Sequence, residues 1–477
     1  MVFTSLNFLI FFPIVACAYF LTPAKYRWAT LLFASYFFYI NLKPVYALLL
    51  AGVTLSTYIF TILIYGCASE SRRKTYLILN ILLILAPLFF FKYFDAFNEG
   101  IFDLLQLAGI RFKLPEITLI LPVGISFYTF MAIGYTIDVY NDEIKAERYL
   151  GIVALFISFF PLILSGPIER AKNMIPQFRA SRGIDFNLVA GGLKLMLWGY
   201  FMKLVVADRL GIYVDAVYNN IGQHNGTSFL LASLLYPFQV YTDLGGYSLI
   251  AIGAAEIMGF KVMNNFKRPF FAITMAEFWR RWHISLISWF MDYVYTPLTF
   301  TLRRYGIYGI VIALLITFMI SGIWHGAALT FIVWGLMQGL ILSIEALTNQ
   351  KRIYVEKKFN LNKNILYGLS GIILTYLLFS ASLIFGRAPD LSYAFQVFDK
   401  IFTGRGQLFI DPPTQAYSLF GLSIVLLKDF RDEFFPEKLL LFENKSVVIR
   451  FASYLIILFM ILLTGVLNGR QFIYFQF

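Results

Sequence analysis

The sequence predicts an all-α protein that crosses a membrane many times. Three observations carry that reading. Of the 477 residues 59% are hydrophobic and only 14% charged, with a mean hydropathy of +0.73, whereas soluble domains carry roughly 25% charged residues. Apolar runs long enough for a membrane helix, about 20 residues, recur from one end of the chain to the other. The remaining charges collect in short basic clusters, such as Arg72-Arg73-Lys74 and Lys351-Arg352 with Lys357-Lys358. The net charge of +12 therefore reads as inside loops and contact with anionic headgroups, and not as a nucleic-acid surface. The lipid bilayer is the first partner that the composition implies. No soluble domain is visible.

Apolar segments at 5–22, 28–42, 45–66 and 76–94 open the chain. Val15-Ala16-Cys17 has the look of a lipoprotein cleavage site, but no Lys or Arg precedes it, so the first segment is read as a retained span. Lys25 and Arg27 fall inside, the Lys43-Pro44 turn outside and Arg72-Arg73-Lys74 inside, which places the N-terminus outside. Residues 95–117 are mixed, with an amphipathic piece around Phe102 to Phe112 expected at the interface. Segments 118–138 and 149–166 follow, divided by the polar stretch Asn141 to Arg148. Strict alternation would then put the basic segment up to Arg182 outside, against the charge rule. One segment between 76 and 166 is therefore expected to be re-entrant or not a span at all, and the sequence does not say which. Cys17 and Cys67 lie at or within apolar runs, so neither a disulfide framework nor a zinc-ligand spacing is present.

Residues 187–207 and 227–255 come next, joined by a polar loop in which His224 is read as solvated. Asp243 is the sole formal charge in 227–255, with Pro237 before it and Gly245-Gly246 behind. Such a segment is expected to be broken and to line a cavity or pack against another irregular one. On a helix from Lys267 to Leu298, the residues Glu277, Arg281, Ser285, Ser288 and Asp292 form a polar stripe. Glu277 and Arg281 have the favourable i,i+4 orientation. Phe278, Trp282, Trp289 and Tyr293 form an aromatic stripe, as on a helix near the headgroups. His283 falls with Trp279, Leu286 and Phe290 on an inward face. It reads either as a packed histidine with one satisfied hydrogen bond or as a functional one. Arg280 and Arg281 read as headgroup anchors, with binding of a phosphate-bearing donor as the alternative.

The run from Gly306 to Ile344 is uncharged and contains His325 near its middle. It is long enough for two spans, with Ser321-Gly322 and His325-Gly326 as the places to bend. An ionisable residue at membrane depth is a functional candidate; a capping or core histidine is the plainer reading of His325. Segments 365–386, 415–427 and 449–467 complete a total of about eleven spans plus re-entrant pieces. There is no fixed-period repeat and no inverted pair of halves. HExxH, GxSxG, Walker and CxxC motifs are absent. Two histidines 42 positions apart make a poor metal site, so no metal is expected. A general base is the economical role for an imidazole, since one that is partly desolvated stays neutral and can accept a proton.

These residues sit in stretches that resemble a known family. LPVGISFYTF (121–130) with IDVY (137–140), FFPLILSGPIER (159–170), QVYTDLGGYSLIAIG (239–253), NNFKRPFF (264–271), FWRRWHISLISWF (278–290) and SGIWHGAALTFIVWGLMQG (321–339) follow in order, and FIYFQF (472–477) ends the chain. The chain resembles the bacterial membrane-bound O-acyltransferases, specifically the alginate O-acetyltransferase-like branch. The resemblance implies one membrane domain over 1–477, a bowl of helices with a central tunnel. It divides into N-terminal helices (1–117), a catalytic core (118–347) and C-terminal helices (348–477).

By resemblance, His325 takes the catalytic position and His283 the second signature position. The family further implies acyl transfer from a cytoplasmic thioester donor, acetyl-CoA or another, with no permanently bound cofactor. The acceptor implied is a cell-surface polysaccharide hydroxyl or an extracytoplasmic acyltransferase partner, and the place is the bacterial cytoplasmic membrane. Within that frame Asp243 either fixes the tautomer of an imidazole or pins its own helix. Trp282 and Trp324 are expected to shape the tunnel waist. Three departures stand out: Thr299-Phe300 where the branch has a Gly-Gly turn, Met291 where arginine is common, and Leu249 in place of a second aspartate. They leave the reaction class in place and loosen the tie to alginate. D-alanyl transfer to teichoic acid, or a transporter with Asp243 and His325 on a proton path, are the alternatives.

Overall fold

The computed structural model describes all residues except 42, 108, 110–120, 181, 439 and 468–477. The end of the Phe102–Phe112 piece and the whole of 472–477 lie outside the described residues. The described residues are helical and include no strand. Seven of their helices are long and apolar enough to cross a membrane, and Leu6–Leu21 is a shorter apolar one. The protein is thus a multi-pass membrane protein. Main-chain packing groups it into two compact units, 1–193 with 251–263, and 194–250 with 264–477. Those borders do not coincide with the sequence divisions at 117 and 347.

In the first unit, Pro44–Gly66 and Glu70–Lys92 are 23-residue helices. Pro44 sits at the start of its helix, where its missing N–H costs nothing. Phe8, Phe11, Phe38 and Phe160 interlock at ring distances of 5.4–6.1 Å. A buried hydrogen bond from Asn80 to the Thr136 hydroxyl (2.8 Å) joins Glu70–Lys92 to the helix Ile125–Tyr140. The segment expected at 149–166 is interrupted. Leu150–Ser158 ends at Phe159, and a short turn of helix, Phe160–Ile163, follows. Pro161 has no N–H to continue the ladder, and the Phe160 N–H turns to the Ser35 hydroxyl instead (3.1 Å). Nine helical residues rise only about 14 Å, too short to cross a bilayer alone.

The second unit holds the elements that matter for chemistry. Residues 226–250 of this unit belong to Gly226–Ile257, one continuous helix of 32 residues. The expected break at Pro237 or Gly245-Gly246 does not occur. The glycines instead let a neighbour approach: a Cβ at Gly246 would sit 2.8 Å from the Gly199 carbonyl oxygen. The opposite correction applies to 267–298. The expected single helix is split into Met275–Arg281 and Ile284–Phe290, and a π-helical turn, Met291–Tyr295, follows. The polar stripe is therefore divided. Glu277 and Arg281 pair on the first piece (2.5 Å), whereas Ser285 is buried on the second.

The uncharged run forms two helices, Ile307–His325 and Leu329–Lys358, which turn at Gly326. Their backbones meet along a glycine seam. A Cβ at Gly335 would lie 2.3 Å from the Phe318 carbonyl oxygen, and one at Gly322 2.3 Å from that of Phe331.

Candidate functional site

His325 is the last residue of the Ile307–His325 helix, so its ring is carried at the tip of the glycine-seamed hairpin. It stands among aromatic rings. Trp324 and Trp334 meet it edge-on at 4.6 and 4.9 Å, and Phe331 lies nearly parallel at 6.4 Å. Four residues earlier on the same helix face, Ser321 joins it in the wall of a cavity of about 50 Å³. Trp279, Trp282 and His283 form a second wall, and Phe379, Leu383 and Gly386 of the Ile365–Arg387 helix a third. Among the described residues, no Asp or Glu lines it. The cavity brings His283 and His325 to one chamber.

His283 lies at the break between the two short helices, in the left-handed region (φ 43°). A non-glycine residue pays about 1–2 kcal/mol for that conformation. Asn265 holds the break together. Its backbone carbonyl accepts the Ile284 N–H (2.9 Å), and its Oδ1 accepts the Ser285 hydroxyl (2.9 Å) and N–H (3.3 Å). Because a backbone N–H can only donate, the amide atom facing it is the oxygen. His283 Nδ1 lies 3.1 Å from that same oxygen, so Nδ1 carries the proton and Nε2 is the unprotonated, accepting nitrogen. Asn265 Nδ2 donates to Ser248 on the long helix (2.9 Å). His283 is only 1% exposed, and burial pushes its pKa down to about 3. It stays neutral.

The Trp279 helix is anchored at both ends. The Thr274 hydroxyl accepts the Glu277 N–H (3.1 Å), and Glu277 accepts the Ile273 N–H (2.9 Å), a variant of the capping box. The Glu345 carboxylate accepts the N–H groups of Met275 (2.7 Å) and Ala276 (2.9 Å). At the far end Arg281 binds both Glu277 (2.5 Å) and Glu433 (2.9 Å), and Arg268 binds Glu433 (2.7 Å). Glu277 and Arg281 thus brace the chamber from outside its wall. Arg280 is exposed. Behind the chamber, Trp279 Nε1 donates to Gln338 (3.2 Å) and Gln338 to Ser382 (2.6 Å).

Asp243 is placed elsewhere. Its carboxylate lies 2.6 Å from Lys203 Nζ, which also reaches Asp208 at 2.8 Å. All three are at most 4% exposed. Asp243 is thereby an ion partner that ties two helices, and of its two sequence readings the pinning one fits this geometry. Trp282 lines the chamber, whereas Trp324 packs on His325 without forming part of the wall; Trp334 occupies that place. Sequence reasoning missed Lys203, Asn265, Glu345, Gln338 and Trp334. Lys203 had a usable signal, as a charge within 187–207 with a single aspartate in the next segment.

Residues 150–384 match the family model described as MBOAT, membrane-bound O-acyltransferase family. The chain is 34% identical over 418 residues to the probable alginate O-acetylase of Pseudomonas aeruginosa, covering 86% of this chain and 76% of that one. It is 29% identical over 429 residues to the peptidoglycan O-acetyltransferase of Helicobacter pylori, covering 83% and 78%. Against the teichoic acid D-alanyltransferase of Streptococcus thermophilus it is 31% identical over 253 residues, covering 51% and 59%.

Proposed function

The chain belongs to the membrane-bound O-acyltransferase family, and from that premise we propose that it moves an acetyl group from a cytoplasmic thioester to a hydroxyl on the outer side of a bacterial cytoplasmic membrane. That it is an acyltransferase follows from the family. The donor, acceptor and catalytic roles are this reading's own. The observation that carries it is one small chamber lined by two imidazoles and, among the described residues, by no carboxylate. Family membership displaces the transporter alternative.

His325 acts as general base. The acceptor oxygen attacks the thioester carbonyl carbon while the imidazole takes the hydroxyl proton. The carbon–sulfur bond then breaks, and the imidazolium returns its proton to the departing thiolate. An ester and a free thiol result. Such base assistance is typically worth about 10²–10⁴-fold. His283, neutral and with Nε2 unprotonated, can accept a hydrogen bond there and cannot donate one. Holding an amide N–H of the donor arm suits it, and polarising the carbonyl does not. A charged coenzyme cannot enter about 30 Å of hydrocarbon, whereas a thin uncharged arm can deliver its acyl end to the chamber. The acceptor is a cell-surface polysaccharide or peptidoglycan hydroxyl, or a partner acyltransferase that passes the group on.

D-alanyl transfer is the second reading, supported by the teichoic acid relative. It would bring an ammonium into a chamber without a carboxylate to pair it. The test compares ester-linked acetate on surface polymers in wild type, a deletion strain and His325→Ala at matched protein level. Loss of the same ester in both mutants is expected. Full acetate in His325→Ala would remove this base from the mechanism, and lost D-alanine esters with intact acetate would favour the second reading.

A further inference from the structure

Three glycines near the chamber are required by packing. A Cβ at Gly322 or Gly335 would press on a carbonyl oxygen at 2.3 Å, and one at Gly326 on the Phe331 ring at 2.4 Å. Gly386 differs. It is buried in the Ile365–Arg387 helix, yet an added Cβ would meet only Leu383 Cδ2 at an ordinary 3.6 Å. It needs no positive φ. Neither backbone geometry nor a close neighbour calls for glycine there. The open space beside it is inside the protein, and Gly386 and Leu383 both line the chamber. The missing side chain is therefore room for something else.

We infer that Gly386 and Leu383 set the size of the acyl group that this protein transfers. The inference rests on the acyl-transfer reading above and adds its specificity determinant. In the measure by which the chamber holds about 50 Å³, one water takes about 10–15 Å³, so there is room for about three to five non-hydrogen atoms. Acetyl has three, propionyl four and butyryl five. The Trp279 and Trp334 rings of the other walls are locked by ring contacts at 6.0 Å from each other, and Trp279 is further held by Gln338. The helix face with Gly386 and Leu383 is the side where one methyl more or less changes the length available. A single methylene in such a pocket discriminates by about 10–200-fold.

The experiment uses full-length protein in membrane vesicles that carry the native surface polymer, supplied with acetyl-, propionyl- or butyryl-CoA labelled in the acyl group. The readout is the ratio of esterified label between donors. Because both rates come from the same preparation, a variant's folding yield cancels. Wild type is expected to favour acetyl over butyryl, whose five atoms stand at the upper limit of the chamber, by about 10-fold, and equal use of the two would overturn the gauge. Leu383→Ala should shrink that ratio about 10-fold or more, and Gly386→Ala should lower propionyl relative to acetyl. Unchanged ratios in both variants, with wild type active, overturn the size gauge and leave acyl transfer standing. A wild type that esterifies none of the three donors overturns the acyl-transfer reading from these donors and the gauge with it.

Discussion

Lys203 and its two aspartates allow a prediction that separates structure from chemistry. At 2.6 and 2.8 Å, each attraction is about 6 kcal/mol at an effective dielectric near 20. Desolvation of the three ions, several kcal/mol apiece, consumes much of that. The count of charges then decides the outcome. Asp243→Asn leaves Lys203 paired one-to-one with Asp208, with an amide able to hydrogen-bond in place of the carboxylate, and should cost about 1–2 kcal/mol. Lys203→Met leaves two buried carboxylates without their cation and should cost about 3–5 kcal/mol or more. The assay is unfolding of the purified protein in mild detergent under increasing denaturing detergent, with transfer activity measured on the folded fraction. Lys203→Met should be clearly the worse variant, and Asp243→Asn should retain activity per folded molecule. If Asp243→Asn instead keeps full stability and loses transfer, Asp243 serves the imidazoles and the ion-partner account is wrong.

Other perturbations test the supports of the chamber. Gly335→Ala forces a methyl toward the Phe318 carbonyl and should destabilise by about 1–3 kcal/mol, seen as a lower unfolding midpoint and reduced transfer. Glu345→Gln removes the charge that caps the Trp279 helix; a loss of about 1 kcal/mol is expected in the same unfolding assay. His283 gives a pH signature. Its pKa is about 3 when folded and about 6.5 when unfolded, so the unfolded state binds the extra proton between those values. Stability from this group is present above about pH 6.5 and falls by about 2 kcal/mol on going to pH 5. His283→Gln should flatten that slope in unfolding measured from pH 7 to pH 5, and an unaltered slope would assign it to other groups.

The parts of the fold that depend on long local patterns were legible. Pro44–Gly66, Ile365–Arg387 and the pair of helices in the Gly306–Ile344 run follow from apolar length alone. The turn after His325 was readable because glycine follows it directly. The misreadings have a common physical source. Pro237 and Gly245-Gly246 look like breakers to a sequence, but in the Gly226–Ile257 helix they are absorbed, with glycine serving close approach. Trp282-His283 looks helical, and the chain breaks there because Asn265, distant in sequence, offers its carbonyl and its side chain to the residues beyond. Such long-range hydrogen bonds leave no periodicity. The two histidines were visible as rare polar residues in apolar surroundings, whereas their supports, Asn265 and Gln338, are ordinary amides among many.

The glycine seam has a mechanical consequence. Where two helices touch backbone to backbone, there are no side chains between them to change rotamer, and sliding one past the other would drive carbonyl oxygens into Cα atoms. The tip of that hairpin is accordingly a fixed point, and His325 rides on it as a stationary tool. Any breathing of the chamber must be done by walls made of side chains, of which the Phe379–Gly386 face is one.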